Sequence, residues 1–125
     1  MSKLRLVCAT LLALPLLVFG GNHFLALFEM APAGSGPGVE LLESMRSGGL
    51  MTWIAVSHLV IGFGLLVPRL RFAAGLMQLP LSLGIVAFHV TMLPEGNGPA
   101  IGLLVLNLIV VSDTSRIDGL FAPRY

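Results

Sequence analysis

Charged side chains are scarce in this chain: only 10% of its 125 residues are charged, against about 25% in ordinary soluble domains. The formal net charge is +1, and no cluster of basic residues forms a nucleic-acid footprint. The single cysteine, Cys8, excludes an intrachain disulfide. A CxxC pair, a glycine-rich phosphate loop and a nucleophile beside a base are all missing from the sequence. We therefore expect no nucleic-acid partner and no active site of the soluble-enzyme type.

Apolar residues dominate instead and make up 56% of the chain. A soluble chain of this length forms one domain at most and has too much surface to bury so much apolar material. Apolar runs of roughly 18 residues or more can cross a bilayer as helices. The predicted fold is all-α, an antiparallel bundle of four transmembrane helices in a single domain. The predicted spans are residues 4–28, 50–67, 72–93 and 100–116.

Two of these spans have alternative interpretations. The basic start of the first, at Lys3 and Arg5, is also typical of a secretory signal peptide. Its apolar stretch is too long for that, and no A-x-A-like cleavage site directly follows Phe19, so an uncleaved span is favoured. The last run has only about 13 apolar residues, or about 20 Å of helix. It crosses the bilayer only if it continues through residues 113–116 or if the bilayer thins locally.

The charge pattern predicts the orientation of this bundle. Four spans place both termini on one side of the membrane, and the polar connection 29–49, with a short interfacial helix at 39–46, on the other. Six of the seven basic residues fall on the terminal side, which the positive-inside rule places in the cytoplasm. These six are Lys3, Arg5, Arg69, Arg71, Arg116 and Arg124. We therefore predict a multi-pass protein of the inner (plasma) membrane with cytoplasmic N- and C-termini.

Every predicted span carries polar side chains within its apolar run. Counted from the external helix ends at about 1.5 Å per residue, the three histidines and Asn107 lie between about 6 Å deep for His89 and about 12 Å deep for His58. Intramembrane polar and ionisable residues mark functional sites by default. The candidate pocket, in the external half of the membrane, consists of Asn22, His23, His58, His89 and Asn107.

Helical spacing predicts that these side chains face the bundle interior. On the third span Gly75, Gln78, Ser82 and His89 follow one another at intervals of three, four and seven residues, which is a single helical stripe. On the second span His58 precedes Gly62 by one turn, so the imidazole lies beside a notch where another helix can approach.

Several interpretations of these polar groups remain open. They are either hydrogen bonds that hold helices together or the lining of a ligand pocket. A quinone, its carbonyl held by His or Asn in an aliphatic pocket, suits the composition best. Haem bound between His58 and His89 is disfavoured because the two depths differ by about 6 Å. Copper is disfavoured because the available ligands, His23, Met51, His89 and Met92, form no closely spaced metal motif. We expect no bound metal.

Three short segments carry a family resemblance: FGGNHF at residues 19–24, FHVTMLPEG at 88–96, and Asn107 followed by SDTSR at 112–116. Over roughly residues 5–118 the chain resembles the DoxX-like family of small membrane proteins. The resemblance implies a four-helix bundle in the inner membrane, linked to quinone-dependent sulfur oxidation or to accessory roles beside other redox or membrane proteins. Two positions depart from the family, with His23 where lysine is frequent and His58 near where glutamate is frequent.

Three functions follow as hypotheses. The first is an accessory or structural membrane subunit of a redox or electron-transfer complex, inactive as an enzyme on its own, because the chain leaves little outside the bilayer to handle a substrate. The second is a quinone-interacting component of an oxidoreductase, with His58, His89 and Asn107 around the headgroup. The third is a small transporter, which would need a polar path through the cytoplasmic half, where only Gln78 and Ser82 lie. Other membrane subunits or further copies of this chain are the expected partners.

Overall fold

The computed structural model describes residues 2–30 and 34–123, and within these ranges the chain is helical without any strand. The long helices are α1 (Lys3–Leu25), α3 (Leu50–Leu66), α4 (Arg71–Met92) and α5 (Asn97–Val111). The short ones are α2 (Pro37–Ser47) and α6 (Thr114–Phe121), and a 3-10 turn, Pro94–Gly96, leads into α5. The all-α prediction is confirmed.

The long helices pack antiparallel in a closed arrangement, because α1 and α4 each contact both α3 and α5. Glycines bring the backbones together at these contacts. A Cβ atom on Gly62 of α3 would lie 2.8 Å from the Leu17 side chain of α1, and one on Gly75 of α4 would lie 2.9 Å from Val110 of α5. The notch predicted beside His58 is therefore a true helix–helix contact.

The bundle buries a narrow core and leaves its outer faces apolar. Leu12 and Leu16 of α1 and Leu65 of α3 are almost completely buried. Large apolar side chains elsewhere on the long helices are exposed, for example Phe63 of α3, which is 62% exposed, and Met77 of α4, which is 58% exposed. Such a surface is unsuited to water and suited to acyl chains.

Within the described ranges, three helical segments are long and apolar enough to cross a membrane: Lys3–Leu25, Arg71–Met92 and Pro94–Val111. With 17 residues, α3 is shorter, and it reaches the length of a span only together with α2, which is bent from it by 84°. The chain therefore has three candidate spans, or four if the bent pair is one span, and is compatible with a membrane location.

The helix boundaries differ from the sequence prediction at several places, among them the start of α5 at Asn97 instead of residue 100. Helix α1 ends at Leu25, three residues early, because Ala26 adopts a left-handed conformation with φ of 50°. The last predicted span is two helices, since the chain breaks at Ser112 and Asp113. The Asp113 side chain accepts a hydrogen bond from the Arg116 backbone N–H and so starts α6.

Two ends of the bundle are distinguished below. The arginine end holds the start of α1, the α3–α4 turn and the α5–α6 break. The loop end holds the end of α1, α2 and the 3-10 turn before α5. Of the basic residues predicted for the arginine end, Arg124 lies outside the described residues.

Candidate functional site

The loop end fixes His89 in a helix corner. Its Nδ1 lies 3.0 Å from the Leu93 carbonyl oxygen, and because that oxygen can only accept, Nδ1 must donate. The ring packs directly on the backbone of Gly96, where a Cβ atom would lie 2.1 Å from ring atoms. Phe88 meets the imidazole edge to face, with ring centroids 5.2 Å apart. His89 therefore stabilises the end of α4 and packs against the 3-10 turn.

Asn22 has a similar local task at the end of α1. Its Oδ1 accepts hydrogen bonds from the backbone N–H groups of Leu27 and Phe28, at 2.8 and 3.0 Å. Its Nδ2 donates to the Phe28 carbonyl oxygen at 2.8 Å. The amide is only 8% exposed and holds the turn that follows the helix. Little of its hydrogen-bonding capacity is left for a ligand.

His23, the next residue, is exposed and bridges two helices. Its Nε2 lies 2.9 Å from the Thr52 hydroxyl of α3. His58 differs from the other histidines, because its ring makes no hydrogen bond to any residue that the structure describes. It is half-buried on the face of α3 that also carries Ile61 and Leu65.

The fifth candidate, Asn107, belongs to a buried network between α4 and α5. Its Oδ1 accepts a hydrogen bond from the Ser82 hydroxyl at 2.8 Å, and its Nδ2 donates to the Gly75 carbonyl at 2.8 Å. Gln78 joins through Nε2, which donates to the Ser82 hydroxyl at 3.3 Å. The three side chains are fully buried. Within the described ranges, Gln78 Oε1 has no partner.

The five predicted site residues therefore do not converge. Asn107 lies in the half of the bundle nearer the arginine end, because it bonds Gly75, four residues into α4, and is itself four residues from the end of α5. The sequence had predicted Asn107 in the external half of the membrane, which is the half nearer the loop end. The α4 stripe is buried at Gly75, Gln78 and Ser82, whereas His89 belongs to the turn.

A cavity of about 590 Å³ opens at the loop end beside Asn22 and His23. Its walls are mainly apolar, with Phe19 and Met51 among them. They also include the carboxylate of Glu29 and the guanidinium of Arg46. Its volume lies in the range of about 300–1,000 Å³ that small-molecule sites occupy. His58, His89 and Asn107 do not line it.

The arginine end has a second, smaller pocket of about 130 Å³. Asp113 pairs with Arg5 of α1, and Arg116 Nε lies 4.0 Å from the same carboxylate. Hydrogen bonding from Ser115, together with Arg5, lowers the Asp113 pKa to about 2. The Arg116 guanidinium carbon lies 5.8 Å from the ring centroid of Phe72.

Arg71 is a buried charged residue that the sequence did not distinguish. It is only 6% exposed, and its Nε donates to the Leu65 carbonyl oxygen at 2.8 Å. The side chain thus turns back to cap α3 from the first residue of α4. In the sequence it is one of two arginines in a basic turn, and nothing there separates it from Arg69. Asp113 could have been recognised, because an Asp before an amphipathic segment is an N-cap signal.

No family model, no curated protein and no solved structure matches the chain. Among the described residues, no three His, Cys, Asp or Glu side chains lie close enough together to hold a metal ion. The function must therefore be inferred from the geometry of the chain itself.

Proposed function

We propose that this chain is an accessory subunit of a redox or electron-transfer complex in the inner membrane, with four spans and both termini in the cytoplasm. The likeness to the DoxX-like family is part of this proposal. The antiparallel packing of α3 along α1 supports a fourth crossing, although α3 is short. The positive-inside rule supports a cytoplasmic arginine end, which holds Arg5, Arg71 and Arg116.

One observation carries the accessory role: the buried amides of Asn22 and Asn107 already have hydrogen-bond partners at both oxygen and nitrogen. Asn22 holds a turn, His89 ends a helix, and Asn107 joins α4 to α5. Groups that serve catalysis need a partner outside the chain, and an amide already bonded on both sides has little to offer. This use of polar groups favours a packed bundle that supports other subunits over a reaction centre.

The experiment that tests this role is purification of the tagged chain from native membranes in a gentle detergent, followed by mass spectrometry. We expect another membrane protein to co-purify in fixed proportion. Asn107→Leu should reduce that yield, because it disturbs the bundle, whereas His58→Leu should leave the yield unchanged. Recovery of the chain alone, from membranes in which it is functional, would contradict an accessory role.

The loop-end cavity favours a second candidate, a quinone-interacting component of an oxidoreductase. Its volume and apolar walls suit a small ring, and His23 can offer a hydrogen bond to a carbonyl. Quinone extracted with the purified protein should fall several-fold in His23→Leu and stay unchanged in His58→Leu, which lies outside the cavity. Equal quinone in both variants and in wild type would reject this candidate.

A further inference from the structure

The pocket at the arginine end has a charge arrangement that the subunit role does not use. Arg5 and Arg116 share one carboxylate, that of Asp113. The side chains of Arg5 and Asp113 are 24% and 21% exposed, so this pair is mostly enclosed. Arg116 is 51% exposed, and its Nε is 4.0 Å from the carboxylate. One carboxylate neutralises one guanidinium, and these three residues therefore leave a surplus positive charge beside an open cavity.

The corner between α3 and α4 forms another part of the pocket wall. Arg71 Nε donates to the Leu65 carbonyl at 2.8 Å, and its Nη2 lies 3.4 Å from the Leu66 carbonyl oxygen. Phe72 follows in the first turn of α4 and lines the pocket under Arg116. No side chain among the described residues caps this helix start, whose N–H groups carry partial positive charge. The Arg71 N–H already donates to the Val67 carbonyl, and the partial positive charge of the helix start adds to the favourable field for an anion.

We propose that this pocket binds a phosphate group, with Arg5 and Arg116 as its ligands. The planar guanidinium forks match phosphate oxygens in geometry and charge. The phosphate could come from the headgroup of an anionic phospholipid or from a soluble phosphate ester. Lipid is the source that the surroundings favour, because Ile117, Leu120 and Phe121 form an apolar stripe on α6, the helix that also carries Arg116. The proposal does not depend on the accessory role.

The test uses the full-length protein in detergent and the matched variants Arg116→Gln and Arg69→Gln. Both remove one positive charge at the same end of the bundle, but Arg69 is exposed and lies outside the pocket. Native mass spectrometry then compares retained phosphatidylglycerol with retained phosphatidylcholine. In a second arm, inorganic phosphate is added to lipid-free protein and the shift in Tm is measured.

We expect phosphatidylglycerol to be retained over phosphatidylcholine, and retention to fall about tenfold in Arg116→Gln, as loss of a charged hydrogen bond implies. Arg69→Gln should behave as wild type, and Arg116→Lys should recover part of the binding. A Tm increase with inorganic phosphate that is lost in Arg116→Gln would show that soluble phosphate also binds. Equal retention of the two lipids, or equal loss in the two Gln variants, would overturn the proposal. Circular dichroism of each variant verifies that it is folded.

Discussion

The interior of the α4–α5 contact and the loop end use similar polar side chains in different ways. In the interior, Asn107 bonds Ser82 and Gly75, which are 25 and 32 residues away in the chain. At the loop end, Asn22 bonds a residue six positions away and His89 one four positions away. The difference follows from helix ends, where backbone carbonyls lack partners and a nearby polar side chain satisfies them or the turn beyond. Asn107 lies within α5 and bonds the neighbouring helix α4 instead.

The largest effect should come from the interior. Asn107→Leu leaves the Ser82 hydroxyl without its acceptor and removes the donor to Gly75, in a site with no exposure. We expect a loss of about 2–3 kcal/mol in the free energy of unfolding. Chemical denaturation in detergent measures it.

Ser82→Ala provides the control for this prediction through a double-mutant cycle. The two residues should show a coupling of about 0.6–1.7 kcal/mol, the range found for interhelical hydrogen bonds in membranes. Strictly additive losses would mean that the Ser82–Asn107 hydrogen bond contributes nothing, and the contrast with the loop end would fail.

A somewhat smaller effect is expected at the loop end from Gly96→Ala. The new methyl group would lie 2.1 Å from the His89 ring, so the imidazole must leave its position against the turn. The expected loss of stability is about 1–2 kcal/mol, as for overpacking elsewhere. Gly98→Ala, two residues on, meets no atom of the described structure within 4 Å and serves as the control. Equal thermal stability of the two variants would show that the His89 corner is not tightly packed.

The arginine end adds a pH dependence of stability through Asp113. The pKa of Asp113 is lowered from its usual value of 3.8 to about 2, first by the Ser115 hydroxyl and then by Arg5. A lowered pKa contributes stability that is complete above the usual value and disappears as the pH falls towards 2. The Tm difference between wild type and Asp113→Asn should therefore be constant from about pH 7 to 5 and shrink below about pH 4. A difference that shrinks at neutral pH would contradict this assignment.

The smallest effect should come from His58→Leu. The His58 ring has no hydrogen bond within the described residues and is half-buried on an inward face, so an aliphatic side chain can replace it. We expect a change within about 0.5 kcal/mol. A loss above about 2 kcal/mol would reveal a partner for this imidazole beyond the described contacts and would return it to the candidate site.

Features that repeat along a helix could be predicted from the sequence. The long helices followed from apolar runs, and the buried stripe at Gly75, Gln78 and Ser82 followed from helical spacing. The contacts between helix ends could not be predicted from the sequence. The depth of Asn107 was misjudged because α5 begins at Asn97, before the predicted span, so Asn107 lies about 15 Å from the helix start instead of about 10 Å. The pairing of Arg5 with Asp113 could not be predicted, because the two residues are 108 positions apart and no local sequence pattern links them.

Cysteine labelling in intact cells tests whether the chain crosses the membrane four times with the arginine end in the cytoplasm. In a Cys8→Ala background, a membrane-impermeant maleimide should label Ser35→Cys from outside and should label Gly119→Cys only after the cells are broken. Both positions are exposed, so accessibility alone does not separate them. Labelling of both in intact cells would mean an odd number of crossings, with α2 and α3 entering and leaving on one side, and would contradict the account.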